Sequence, residues 1–535
     1  MTINEFGQLS PEAAGLPDEA TLTRMAVELF KQLPGDHPRA EQLLTTATES
    51  IDPQRVTGQT TPTETAAFSP HVHNATLDGG LQSFLQQAFP VNPLSMVPGQ
   101  TASNSYYFIN ETDPAATASH LSSLSTQPAF DVHAVRRDFP ILSERVNGHQ
   151  LVWFDNAATT QKPQVVMDRI TRFYQHENSN IHRAAHELAA RATDAYEEAR
   201  DTIAHFLNAS SSEELVFVRG ATEAINLVAQ SFGKQHIGEN DEIIVSHLEH
   251  HANIVPWKRL CDETGARLRV IPVDDSGQVI LSEYQKLLSS KTKLVAFTQV
   301  ANALGTITPA QEIIAMAKRV GAVTLLDAAQ SVSHISVDVQ QLDCDFLVFS
   351  GHKIFGPTGI GVLYGKKALL DETQPWQGGG NMIEDVTFEA IRYQPAPAKF
   401  EAGTGNIADA VGLSAAIKYV QSIGLNRIAD YEHQLLDYAT QKIQRIKGIQ
   451  LVGTASNKTS VMSFTLEGHD NAAVGRALNE VGIAVRTGHH CAQPILRRFG
   501  LESTVRPSFA FYNTFDEIDL LIDTVKKLAA KTTYY

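Results

Sequence analysis

The strongest constraint on the fold is an alternation of apolar runs with amphipathic stretches beginning near Ala134. LVFVRG (215–220) leads into ATEAINLVAQSF (221–232). DEIIVSHLEHH (241–251), RLRVIPV (267–273) and KLVAFTQVAN (293–302) follow, then the helical PAQEIIAMAKRVG (309–321), VTLLDAAQS (323–331), DFLVFSG (345–351) and GIGVLYG (359–365). Runs too apolar to alternate inside and outside are strands buried on both faces. Interleaved with helices, they predict a mostly parallel α/β sheet. Such sheets place ligands at the carboxyl ends of their strands.

The first 130 residues have another texture. They hold 12 of the 23 prolines, with no lysine between Lys31 and Lys162. A segment this poor in apolar surface is expected to be largely disordered. Two apolar islands interrupt it: 17–36, with Leu22, Met25, Leu29 and Phe30 at helical spacing, and 79–99, with Leu81, Phe84, Leu85 and Phe89. Short apolar stretches in such a context suit docking to a larger partner. The expected organisation is an extension over 1–130, a large domain over 131–390 whose N-terminal segment contributes to the small domain, and a small C-terminal α+β domain over 391–535.

A net charge of −16 argues against a nucleic-acid partner. The sequence shows neither a membrane-length apolar run nor a basic leader, so a cytoplasmic protein is expected. Its three cysteines, 261, 344 and 491, lack CxxC spacing, which disfavours disulfides and thiolate zinc sites. Cys344 leads into an apolar strand and Cys261 reads as helix lining. Only Cys491, in RTGHHCAQP (486–494), has no packing explanation.

The chemically loaded residues fall at strand ends. Lys353 follows DFLVFSG directly, a placement that suits a lysine condensing with a carbonyl. Asp327 ends another strand, where a carboxylate can hold a pyridine nitrogen protonated and make pyridoxal phosphate an electron sink; capping a helix is the alternative role. Gln330 could donate to the cofactor's phenolic oxygen. In RGATEAINL (219–227) a strand gives way to a helix, whose N-terminal amides beside Ala221 and Thr222 form an anion site. Ser350 and His352 would complete a phosphate cup. His250 in HLEHHANIVPW (247–257) would stack on the cofactor. A metal bound by His247, His250 and His251 is disfavoured, because the segment follows a strand and lacks an HExxH pattern.

Taken in order, DNAATTQKP (155–163), IHRAAHELA (181–189), EHHANIVPW (249–257), DAAQ (327–330), SGHK (350–353), FEAGTGN (400–406), RTGHHC (486–491) and VRPSFAFYN (505–513) resemble the Suf-type cysteine desulfurases, with selenocysteine lyase activity, of the class V aminotransferase superfamily. The resemblance spans Phe139 to the C-terminus. It implies the fold type I architecture of pyridoxal 5′-phosphate transferases, with a seven-stranded-type sheet. Lys353 would carry the cofactor and shuttle protons, Asp327 and Gln330 would hold its ring, and His250 would stack on it. Thr222, Ser350 and His352, beside Ala221, would bind the phosphate, joined by Thr404 from the second subunit of a homodimer. Asn302 and Arg506 would position L-cysteine, with Arg486 and Ala157 beside them.

Cys491 would take the substrate sulfur as a persulfide, aided by Arg486, His489 or His490, and pass it to an acceptor protein or small thiol. Two departures touch the cofactor site: Ala221 stands where the family usually has Thr, and Gly405 where it usually has Pro. Alternatives are a selenocysteine lyase, a class V aminotransferase without persulfide chemistry, or an inactive scaffold. The first 130 residues resemble the leader of cysteine desulfurases packaged in encapsulin shells, with 17–36 and 79–99 as docking segments; a tether to a sulfur acceptor, or an inert tail, is the competing reading.

Overall fold

The computed structural model describes residues 130–182 and 186–531; the apolar islands at 17–36 and 79–99 lie outside them. Seven strands form the main sheet: β1 (Leu215–Val218), β2 (Glu242–Ser246), β3 (Arg267–Ile271), β4 (Thr292–Thr298), β5 (Val323–Asp327), β6 (Phe346–Ser350) and β7 (Gly361–Gly365). Their order is β1-β7-β6-β5-β4-β2-β3, and only β7 runs antiparallel to its neighbours. Every residue of β2, β6 and β7 is buried, as expected for strands covered on both faces. The edge strand β3 instead exposes Arg267 and Arg269, charges that discourage further pairing.

Helices α1 (Gln164–His176), α2 (Glu187–Leu207), α3 (Ala221–Val228), α4 (Val255–Thr264), α5 (Ala310–Arg319) and α6 (Ile407–Ile423) surround this sheet. Helix α6 buries Ala410, Val411, Leu413, Ala416 and Ile417 and packs on α1 and α2. Its Gly412 permits the approach, since a Cβ there would lie 2.8 Å from Ile170 and Pro357. The helix expected over 221–232 changes at Ala229–Gly233 into a π-turn. Gly233 in that turn packs against Leu260 of α4, which a Cβ would meet at 2.6 Å.

A second sheet joins β8 (Ile449–Val452), β9 (Ser463–Leu466), β10 (Arg486–Gly488) and β11 (Thr504–Arg506) in the antiparallel order β8-β9-β11-β10. Val152–Trp153 pairs in parallel with Ile483–Ala484, and Asp155 bridges Ser508. This crossing carries residues 155–157 to the seam between the two sheets. Among the described residues, no helix is long and apolar enough to cross a membrane.

Candidate active site

A cavity of about 200 Å³ opens at the carboxyl ends of β4, β5 and β6, lined by Lys353, Asp327, Gln330, His250, Thr222, Ala221, Ser350, His352, Asn302, Ala157, Arg486, Arg506 and Cys491. The residues given site roles from the sequence converge here, apart from Thr404 and His489. Lys353 ends the turn Gly351–Lys353 directly after β6. Its ammonium makes no hydrogen bond among the described residues. Burial lowers its pKa, opposed by the Asp327 charge.

Asp327 caps a turn rather than the helix that the sequence offered as its alternative role. One oxygen accepts the Ala329 N–H at 2.9 Å, capping the turn after β5. The other has no hydrogen-bond partner among the described residues. Burial raises the pKa of this carboxyl. Gln330 donates to the Ala157 carbonyl at 2.6 Å, which leaves its second amide hydrogen free for the cavity.

The His250 Nδ1 accepts the Ala252 N–H at 3.0 Å, so the neutral ring carries its proton on Nε2. Burial, then the Lys353 charge, pushes its pKa down to about 3, so the ring is neutral. His352 is likewise held neutral, pushed down to about 4 by burial and by Lys353 and Lys162. The Ser350 hydroxyl accepts the Ala221 N–H at 2.9 Å. That amide is thereby withdrawn from the anion site at the start of α3, leaving the Ser350 hydroxyl proton and the groups of Thr222 to face the cavity.

Arg506, 2% exposed, donates to the Asn302 carbonyl at 3.0 Å and to Asp155 at 3.2 Å, while its Nε is buried without a partner. Arg486 lies 3.9 Å from the same carboxylate. Burial lowers the Arg506 pKa to about 10 against the pull of Asp155, and burial raises that of Asp155. Asp155 escaped the sequence reading because its arginine partner lies 351 residues away.

Cys491 is half-buried, whereas Cys261 and Cys344 are buried, with burial pushing their thiols up to about 11 and about 12. His490 and Cys491 both have left-handed backbones, φ 53° and 55°, which non-glycine residues adopt only when held. The Asn302 amide donates to the His490 carbonyl at 2.7 Å, the His251 N–H to the Cys491 carbonyl at 2.7 Å, and the Cys491 N–H to His489 Nδ1 at 3.0 Å. The His490 ring turns from the thiol to Thr504, 2.8 Å away, and burial depresses its pKa to about 2. The ring is therefore neutral, so any aid it gives the thiol is as a hydrogen-bonding group and not as a cation.

Thr404 lies outside this cavity. Its hydroxyl is 3.4 Å from Asn180, and it lines a separate cavity of about 400 Å³ with Tyr196 and Trp376. Within one chain it does not line the cavity with Thr222, Ser350 and His352; the expectation placed it there from a second subunit. Of the three histidines weighed as metal ligands, His250 faces the cavity while His251 lies beside His489 and Cys491.

Residues 152–521 match the aminotransferase class-V family model. A cysteine desulfurase of Synechococcus elongatus is 62% identical over 86% of this chain and 77% of its own length. A probable cysteine desulfurase of Mycolicibacterium paratuberculosis is 61% identical over 79% of this chain; the match spans 61% of that relative. The apo structure of the Thermococcus onnurineus cysteine desulfurase superposes with a TM-score of 0.72 at 37% identity, over 75% of this chain and 98% of that one. An Escherichia coli cysteine desulfurase, solved in an S-sulfonic acid form, gives 0.70 at 37% identity over 76% and 99%.

The chain belongs to the class V aminotransferase family, whose enzymes use pyridoxal phosphate. Within it the chain falls among the cysteine desulfurases. The site fits the cofactor: among the described residues the Lys353 side-chain nitrogen and the second oxygen of Asp327 have no hydrogen-bond partner, and His250 presents a neutral ring.

Proposed function

We propose that the enzyme converts L-cysteine to L-alanine and keeps the sulfur as a persulfide on Cys491. The carrying observation is that the half-exposed Cys491 lines the same cavity as Lys353 and Arg506. When bound, pyridoxal phosphate supplies an electron sink that makes the substrate α-proton acidic and the Cβ–S bond breakable. Arg506 and Asn302 bind the substrate carboxylate; the unpartnered Arg506 Nε–H and the second Asn302 amide hydrogen, the first being given to the His490 carbonyl, are the donors left for it. Lys353, its ammonium destabilised by burial, accepts the α-proton at Nζ. The Cys491 thiolate attacks the substrate sulfur: an S–S bond forms, the Cβ–S bond breaks, and its electron pair stays with carbon, which takes up a proton to become alanine.

The half-exposed loop lets the persulfide face outward to a protein or thiol acceptor. Thr404 reaches the phosphate cup of the partner subunit in a homodimer. Across the chain we read an extension over 1–130, a large domain over 131–390 and a small one over 391–535.

We further propose that the first 130 residues load the enzyme into an encapsulin shell through 17–36 and 79–99, inside the cytoplasm. The Synechococcus match supports a leader shared with that relative, because 86% of this chain is a longer share than residues 130–535 make up. Removing residues 1–130 is expected to leave alanine formation intact and abolish co-purification with the shell; retained loading would refute the packaging role. For the reaction, alanine and sulfide are measured from L-cysteine with a reductant. Loss of sulfide release in Cys491→Ala is expected, and equal release by both proteins would refute the persulfide.

A further inference from the structure

Cys491 does not stand alone at the cavity mouth. His251, from the turn after β2, and His489, from the sulfur-carrying loop, bring one ring nitrogen each to within 4.8 Å of the Cys491 sulfur and of one another. The two rings are stacked, with centroids 5.6 Å apart and planes at 30°. We propose that these three side chains form a capture site for a borderline-soft divalent cation of the zinc class, and that its occupancy silences sulfur transfer.

The donor set decides the class of ion. One thiolate with two imidazoles suits Zn²⁺ and its spectroscopic stand-in Co²⁺, whereas Mg²⁺ and Ca²⁺ require oxygen ligands. Around tetrahedral zinc the ligand atoms would lie about 3.5 Å apart, so the cluster must contract by about 1 Å. Two of the three ligands share one loop, and their approach to His251 provides that closure. Three protein ligands leave a fourth position open.

The surroundings also decide the kind of site. Each imidazole already has one nitrogen facing a backbone N–H: Gln493 donates to His251 Nε2 at 3.2 Å, and Cys491 to His489 Nδ1 at 3.0 Å. A structural zinc histidine instead donates its outer nitrogen to an acceptor, which locks the metal-binding tautomer. Without that lock, metal entry displaces existing hydrogen bonds, so binding is reversible by chelators. Binding also releases the thiol proton as the S–metal bond forms, so affinity falls as pH falls. The captured sulfur is no longer a free nucleophile, while Lys353 and Asp327 are untouched.

The test uses the holoenzyme titrated with Co²⁺ alone and with Zn²⁺ alone. We expect a sulfur-to-cobalt charge-transfer band that Zn²⁺ chases away, protection of Cys491 from iodoacetamide by Zn²⁺, and no change in the cofactor's absorption. Cys491→Ser should abolish the band. His251→Ala and His489→Ala should each weaken Zn²⁺ binding at least about tenfold. A cobalt spectrum with no Cys491-dependent band would overturn the site, as would Zn²⁺ affinity unchanged in both histidine variants. Alkylation protection is read on the wild-type chain, so it does not depend on any variant folding. Alanine formation, measured separately under chelator, reports on the desulfurase reaction alone, so either claim can fail without the other.

Discussion

The floor of the cavity and the loop above it are built by opposite means. Lys353 and Asp327 stand at the ends of fully or largely buried strands, where the sheet's hydrogen bonds fix the backbone and burial sets the protonation of the side chains. Cys491 sits on two consecutive left-handed residues held by single hydrogen bonds, from Asn302 and His251 to the loop and from the Cys491 N–H to His489. A cofactor that stays in place needs the first kind of support. A sulfur that must be collected inside and delivered outside needs the second, since a loop clamped by a few bonds of about 1 kcal/mol each can open.

Removing the floor's amine should have the largest effect: Lys353→Ala is expected to lower kcat for alanine formation by about 10³-fold or more. Cys491→Ser should leave the cofactor's absorption unchanged, which separates the two regions. Asp155→Asn tests the seam between them. It leaves the buried Arg506 charge without its partner, at a cost of about 3 kcal/mol in stability, and should raise KM for cysteine more than it lowers kcat. Denaturant unfolding and steady-state kinetics read these two effects.

His352 provides a pH test of the floor. The folded protein holds it neutral down to about 4, whereas the unfolded chain takes up a proton below the ordinary value near 6.5. Stability from this group is thus present above pH 6.5 and lost as pH falls toward 4, by about 2 kcal/mol after allowing for its partial exposure. His352→Asn should lack that component in urea titrations of the cofactor-free protein at stepped pH. The smallest effect concerns the loop: Asn302→Ala removes one clamp of about 1 kcal/mol, so iodoacetamide should modify Cys491 about fivefold faster without substrate.

The floor was legible in the sequence because it is local. A run such as DFLVFSG both forms the strand and delivers Lys353 at its end, and VTLLDAAQS does the same for Asp327. The residues of the loop alone showed a cysteine without a packing role, and the resemblance of RTGHHC added its expected chemistry but not its contacts. Its contacts join residues hundreds of positions apart, such as Asn302 with His490 and His251 with Cys491, and no local pattern encodes them. The same holds for Asp155 with Arg506. Ser350 shows a subtler limit: the serine was visible as a candidate anion ligand, but not that its oxygen accepts the Ala221 N–H at the start of α3.

The central claim is that Cys491 carries the sulfur taken from the substrate. The most direct measurement treats the holoenzyme with L-cysteine in the absence of reductant, then compares alanine formed with the mass of the Cys491 peptide. The account predicts one added sulfur atom on that peptide for each alanine in the first turnover. An unmodified Cys491 peptide beside a full equivalent of alanine would contradict it, as would a requirement for a keto acid before any cysteine is consumed.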